Sequence, residues 1–175
     1  MEDGFDMVAL AQGTKAPLFN LRGVAGGSHN LEVTLRDNSV VLLAFLKVSC
    51  PVCHLEFPYL ERLHRSYRTV PIWGVSQDDA DATVAFGRMF GCTFPLILDE
   101  TLETTVAYDL TTVPSVFLVS ADQVIRRTIE GFCKADLEEL NQELARYAKQ
   151  PVIPLFTSAD EVPELKPGCA SKRPL

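Results

Sequence analysis

Seven consecutive apolar residues, Val40-Val41-Leu42-Leu43-Ala44-Phe45-Leu46, constrain this chain more than any other feature. A strand with one wet face alternates apolar and polar side chains. This run does not alternate, so it reads as a strand buried on both faces, as in a parallel sheet covered by helices. It is far shorter than the ~20 residues a membrane span requires. Just beyond it the period changes. Val52, Leu55, Tyr59, Leu60, Leu63 and Tyr67 recur three or four residues apart, with Glu61, Arg62 and Arg65 between them, which predicts an amphipathic helix. Pro51 suits the first helical position, where its missing N–H would have no intrahelical partner. Pro58 lies inside the pattern and is expected to kink the helix.

The remaining segments alternate in type. Residues 18–21 predict a short edge strand, Gly26-Gly27 a turn, and residues 30–35 a returning strand. Residues 72–76 and 94–98 predict buried strands, with a helix over 80–90 capped by Asp78-Asp79 and a short helix over 101–108. Residues 115–119 and 124–129 flank Asp122-Gln123 as a hairpin. Residues 136–149 place Leu137, Leu140, Leu144 and Tyr147 on one helical face. Residues 1–17 are weakly patterned and read as a mobile lead-in. After Pro151 the pattern stops; Pro154, Pro163, Pro167 and Pro174 follow, which predicts an extended tail rather than a packed element. The expected architecture is α/β: a central mixed sheet flanked by helices, with an N-terminal strand pair and an extended C-terminal tail. The expected division is a lead-in at 1–15, one domain at 16–150 and a Pro-rich tail at 151–175.

Charge narrows the partners. Sixteen Lys and Arg against 23 Asp and Glu give a net charge of -7, the wrong sign for phosphate backbones, so nucleic acid is not an expected partner. Met1-Glu2-Asp3-Gly4 is acidic and no apolar stretch follows a basic start. No secretory leader is read, and a cytoplasmic location is expected as the chain stands, or an exported one if a leader has been removed. The five cysteines, Cys50, Cys53, Cys92, Cys133 and Cys169, are too few and too uneven for a secreted disulfide framework.

Cys50-Pro51-Val52-Cys53 falls where the buried strand becomes the helix. Unpaired backbone N–H groups and the macrodipole favour negative charge there. A cysteine in that position can have a pKa of roughly 3.5–7.5 instead of about 8.5. Cys53 lies one turn inward, within reach of a disulfide with Cys50 and more shielded. The expected division of labour is that Cys50 attacks a disulfide and Cys53 resolves the mixed disulfide.

Residues 44–60, Ala-Phe-Leu-Lys-Val-Ser-Cys-Pro-Val-Cys-His-Leu-Glu-Phe-Pro-Tyr-Leu, match every fixed position of Cys-x-x-Cys-x-x-Glu-x-Pro-x-Leu. In this the chain resembles the thioredoxin-like thiol–disulfide oxidoreductases of the TlpA/ResA kind, within the redoxin (alkyl hydroperoxide reductase–thiol-specific antioxidant) superfamily. Residues 112–118 resemble the family's second landmark, the loop with a cis-proline facing the redox pair. Residues 74–76 and 94–99 resemble the insert that separates this branch from short thioredoxins. The similarity covers about residues 16–150. It implies a thioredoxin-like fold, Cys50 as nucleophile, Cys53 as resolving thiol, Glu56 as a carboxylate that accepts protons or tunes both thiols, and Pro114 as the cis-proline. It implies no cofactor, and as partner a disulfide- or dithiol-bearing protein or a reductase system. Two positions depart from thioredoxin itself. Ala44 stands where a buried Asp is usual, and Ser49 replaces the Trp before the first cysteine, which alters the docking surface.

Other readings compete. A thiol peroxidase with an antioxidant role shares the insert, but a peroxidatic cysteine needs a Thr or Ser three residues earlier, where Lys47 stands, and an Arg from a later strand, where Ser115 and Val116 follow Pro114. Cys50, Cys53 and His54 fit the Cys-x-x-Cys-His haem motif without its export or helical context. With a distant Cys they would make a metal module, though no second close cysteine pair exists for zinc. His54 is read as an exposed first-turn residue whose charge tunes the thiols, Cys92 as a small core residue, and Asp78-Asp79-x-Asp81 as a solvated helix start. Cys169 sits on a segment long enough to carry a third thiol to the Cys50–Cys53 pair.

Overall fold

A computed structural model describes residues 9–175. In chain order the elements are β1 (Asn20–Arg22), β2 (Ser28–Asn30), α1 (Leu31–Asp37), β3 (Val40–Leu46), α2 (Pro51–Ser66), β4 (Ile72–Ser76), α3 (Ala80–Phe90) and β5 (Leu96–Leu98). They continue through α4 (Glu103–Ala107), β6 (Thr112–Val113), β7 (Ser115–Ser120), β8 (Ile125–Glu130), β9 (Phe132–Cys133), α5 (Lys134–Ala148), β10 (Leu165–Lys166) and β11 (Cys169–Ala170).

The unalternating run is the middle of the sheet. The order is β5-β4-β3-β7-β8. β3 runs parallel to β4 and antiparallel to β7, so the sheet is mixed. All seven β3 residues are buried, because neighbours lie on both edges and helices flank the sheet. Phe117 of β7 packs its ring against Phe45 and Tyr108, with centroids 5.7 and 5.0 Å away. From α2, Phe57, Leu60 and Leu63 are fully buried. From α5 the same holds for Leu137, Leu140 and Leu144, whereas Tyr147 is left 38% exposed.

Residues 30–35 do not return as a strand. Leu31, Val33 and Leu35 alternate, which suggested one, but Leu31 and Leu35 are also one helical turn apart. The helix wins: Asn30 caps α1 by accepting from the Val33 N–H, and Val33 is left 48% exposed while Leu31 and Leu35 are buried. The second strand of the N-terminal pair is instead β2, which ends at Asn30 just before α1. That pair is tied to the β5 edge by the Val24 N–H donating to the Leu96 carbonyl at 2.9 Å.

The lead-in and the tail are corrected too. Residues 1–8 lie outside the described residues. From Ala9 to Ala16 the chain is bonded to the β7–β8 hairpin, with reciprocal bonds between Gly13–Thr14 and Ile125 and a bond from Ala16 N–H to the Gln123 carbonyl. The tail is extended, as expected, but it is docked. Leu155 is fully buried, the Phe156 ring lies 4.6 Å from that of Tyr59, and Asp160 forms an ion pair with Arg62 at 2.8 Å. Further on, β10 pairs with β9 and β11 with β6. Proline-rich chain cannot satisfy its own backbone, so it bonds along edges that other elements leave open. No periodicity marks this, because each tail residue meets a different element.

Candidate redox site

Cys50 closes the β3–α2 junction. It is the N-cap of α2 in extended conformation, and Pro51 starts the helix. The Cys53 N–H donates to Cys50 Sγ at 3.4 Å, the bond expected of a cap side chain. The protonated Cys50 thiol reaches the Val113 carbonyl, also at 3.4 Å. Both thiols are free and almost wholly buried, Cys50 at 1% exposure and Cys53 at 0%.

The two sulfurs differ sharply in acidity. A hydrogen bond from the Cys53 thiol, helped by one from Cys169 and by the Cys53 and Val52 N–H groups, overcomes burial and pulls Cys50 down to about 5. Burial, reinforced by the bond to Cys50, pushes Cys53 well above the ordinary thiol range. Glu56 lies one turn beyond Cys53. It is fully buried, and neither carboxyl oxygen has a hydrogen-bond partner. Burial first, and the Cys50 charge second, hold its pKa far above the usual carboxylate value. Arg65 does not pair with it; Arg65 pairs with Glu61.

Pro114 stands beside the pair, after a cis Val113–Pro114 bond. Cys50, Cys53, Glu56 and Pro114 are thus gathered at one end of β3 and β7. His54 is half-buried rather than exposed: its ring stacks on Phe90 at 4.5 Å, and Nε2 meets the Val48 carbonyl at 2.6 Å. Cys92 is half-buried, and burial raises its thiol to about 12. Cys133 starts α5. Asp79 caps α3, and Asp78 accepts from the Val48 N–H. Among the described residues, no three His, Cys, Asp or Glu side chains converge on a metal-sized space. A cleft of about 490 Å³ opens elsewhere, beside β5, and is lined by His29, Cys92 and Phe94 but by neither residue of the pair.

Sequence reasoning missed the polar frame around Cys50. Lys47 Nζ donates to the Ala170 carbonyl at 2.5 Å. Gln77 Nε2 donates to Ser171 Oγ at 2.7 Å, and Gln77 Oε1 accepts from the Lys172 N–H at 3.0 Å. These partners are about a hundred residues apart in sequence, and no local pattern announces them.

The chain is similar to known thiol–disulfide oxidoreductases. Thiol-disulfide oxidoreductase ResA of Geobacillus kaustophilus (strain HTA426) is 31% identical over 137 residues, 76% of this chain and 78% of that one. ResA of Bacillus subtilis (strain 168) is 25% identical over 126 residues, 70% of this chain and 69% of that one. A Chlorobium tepidum structure assigned to the thiol:disulfide interchange protein DsbE superposes with a TM-score of 0.71 at 26% identity, covering 79% of this chain and 99% of that one. The fold is thioredoxin-like. The AhpC/TSA family model matches residues 12–128, and with the redox geometry assembled inside that span the chain belongs to the AhpC/TSA family.

Proposed function

We propose that this protein is a thiol–disulfide oxidoreductase that passes two electrons between a Cys50–Cys53 dithiol and a partner disulfide. The observation that carries the reading is the pair's asymmetry: an acidic sulfur capping α2 and a buried, strongly basic one a turn behind it. The names of the ResA and DsbE relatives support it. Residues 16–150 form the redox domain and 151–175 its tail.

In the reducing direction the Cys50 thiolate attacks one sulfur of the partner disulfide. A bond forms to Cys50, and the partner's other sulfur leaves as a thiolate. Cys50 is then neutral, and the charge that helps hold the Glu56 proton is gone. Glu56 can now pass its proton to the departing partner thiolate and take the Cys53 proton in its place. The Cys53 thiolate attacks Cys50 Sγ, closing the disulfide and releasing the second partner thiolate. The enzyme loses two electrons and the partner gains two. Pro114 has no N–H to pair, and the β6 edge beside it at Val113, taken by β11 at rest, is where an extended partner segment can bond once β11 is displaced. The partner is a disulfide- or dithiol-bearing protein, or a reductase system.

A peroxidase role has less support. Lys47 occupies the position of the hydroxyl residue, and the β8 arginines are held elsewhere, Arg126 by Asp122 and Arg127 by Glu139 and Glu143. The test is the first chemical step. Cys53→Ser should still release thiol from a disulfide-bearing protein, and Cys50→Ser should release none. Equal release by the two variants would overturn the assignment.

A further inference from the structure

The edge beside Val113, which a partner needs, is already occupied. β11 runs antiparallel to β6, with Cys169 opposite Val113 and Ala170 opposite Thr112. The same Val113 carbonyl receives the Cys50 thiol at 3.4 Å, so one residue of β6 is shared by the reactive sulfur and the tail cysteine. Cys169 lies close enough to Cys50 to help hold its sulfur as a thiolate. The segment is clamped on both sides of this contact. Lys47 holds the Ala170 carbonyl, Gln77 holds Ser171, and the Ser171 N–H donates to the Thr111 carbonyl at 3.0 Å. Its approach to β6 is too close for a side chain: a Cβ on Gly168 would lie 2.3 Å from Thr112 Cγ2 and 2.5 Å from the Val113 carbonyl oxygen. Gly131, at φ +68°, leaves matching room, since a Cβ there would meet Gly168 N at 2.8 Å.

We propose that residues 165–171 are an internal substrate strand, and that Cys169 is a third redox thiol which exchanges with Cys50. The proposal rests on the thiol–disulfide reading of Cys50. In the oxidised enzyme, the Cys169 thiolate attacks Cys50 Sγ. The Cys50–Cys53 bond breaks, a Cys50–Cys169 bond forms, and Cys53 leaves as a thiolate and takes up the proton that Cys169 gave away. One disulfide and one thiol stand on each side, so no outside oxidant is consumed. The reverse step restores the original pair. An external partner reaches the β6 edge only by displacing the tail, so the tail competes with every substrate for the same bonds.

The decisive experiment uses the full chain with Cys53→Ser and oxidised glutathione. Cys50 attacks the glutathione disulfide and releases one glutathione thiol. Cys169 then attacks the adduct at Cys50 and releases the second. Peptide mapping after acid quench should show a Cys50–Cys169 crosslink as the main product. A lasting Cys50–glutathione adduct with an alkylatable Cys169 would overturn the internal-substrate proposal and leave Cys50 as the nucleophile. No reaction at Cys50 would overturn both readings. Adding Gly168→Val lifts the strand from β6 and should slow crosslinking at least tenfold; an unchanged rate would show that strand pairing does not position Cys169. Wild-type protein in a glutathione redox buffer should yield both Cys50–Cys53 and Cys50–Cys169 peptides, and absence of the second there and in Cys53→Ala would also overturn the proposal.

Discussion

The N-terminus of α2 and the strand β11 meet at Cys50 with different kinds of support. α2 rises from β3, whose residues are buried throughout, and it packs Phe57, Leu60 and Leu63 into the core. β11 is held by backbone pairing and a few polar side chains; Leu165 in the neighbouring β10 is 66% exposed, and Ala170 is also exposed. Apolar burial is lost only when the whole domain opens, whereas an edge strand can part from its neighbour locally. The sulfur that reacts is therefore fixed, and the strand that covers it can be displaced.

That contrast can be broken by measurement. The largest effect belongs to the core. Phe117→Ala should cost about 3–5 kcal/mol in denaturant unfolding, while Leu165→Ala should stay within about 0.5 kcal/mol. Comparable losses would mean the tail is as integral as the sheet. In native-state hydrogen exchange, the Ser171 amide should exchange well before the β3 amides.

The next effect is on acidity. Alkylation of reduced Cys50 should reach half its limiting rate near pH 5, and a midpoint near pH 8.5 would remove the asymmetry on which the mechanism stands. The stability consequence has a definite sign. The folded protein holds fewer protons on Cys50 than the unfolded chain between about pH 5 and pH 8.5, so this group adds stability as pH rises through that window and loses it as pH falls toward 5. Glu56 does the opposite. Its folded form keeps a proton that the unfolded chain releases above about pH 4.3, so stability falls with rising pH. Glu56→Gln should therefore unfold at higher denaturant concentration than wild type at neutral pH, with the gain shrinking below pH 4. A variant equal to wild type at pH 7 would mean that Glu56 is ionised and paired at rest.

The smallest effect lies on the tail surface. Lys172→Ala removes a half-exposed ion pair with Asp78 and should change stability by less than about 1 kcal/mol. It should raise the exchange rate of nearby tail amides before it changes any amide of β3.

The part of the molecule readable from sequence is the part whose order is local. The β3 run, the helical spacing of α2, and the Cys-x-x-Cys pattern each fall within a few turns of chain, where burial leaves a period. Pro114 was legible through a motif. α1 was not, because Leu31, Val33 and Leu35 satisfy both a strand and a helix, and only the Asn30 cap decides between them. The tail was illegible for a different reason. Its bonds to β6, β9, Lys47 and Gln77 join residues distant in sequence, and an extended strand on an edge needs no apolar alternation. Glu56 was visible as a residue but not as a buried, unpartnered acid, since a helical glutamate three residues after a cysteine looks solvated until the packing around it is known.

Asp160 fixes how far the tail end can travel. Its carboxylate accepts from Arg62, Tyr59 and the Thr157 N–H, and Cys169 follows only nine positions later. A released end still moored there sweeps a radius of roughly 30 Å at full stretch. Its return to Cys50 is a first-order event whose half-time is the same in a dilute tube and in a crowded compartment, whereas a rival substrate arrives at a rate set by its abundance. The mooring thus turns partner abundance into the fraction of time the reactive sulfur stands uncovered.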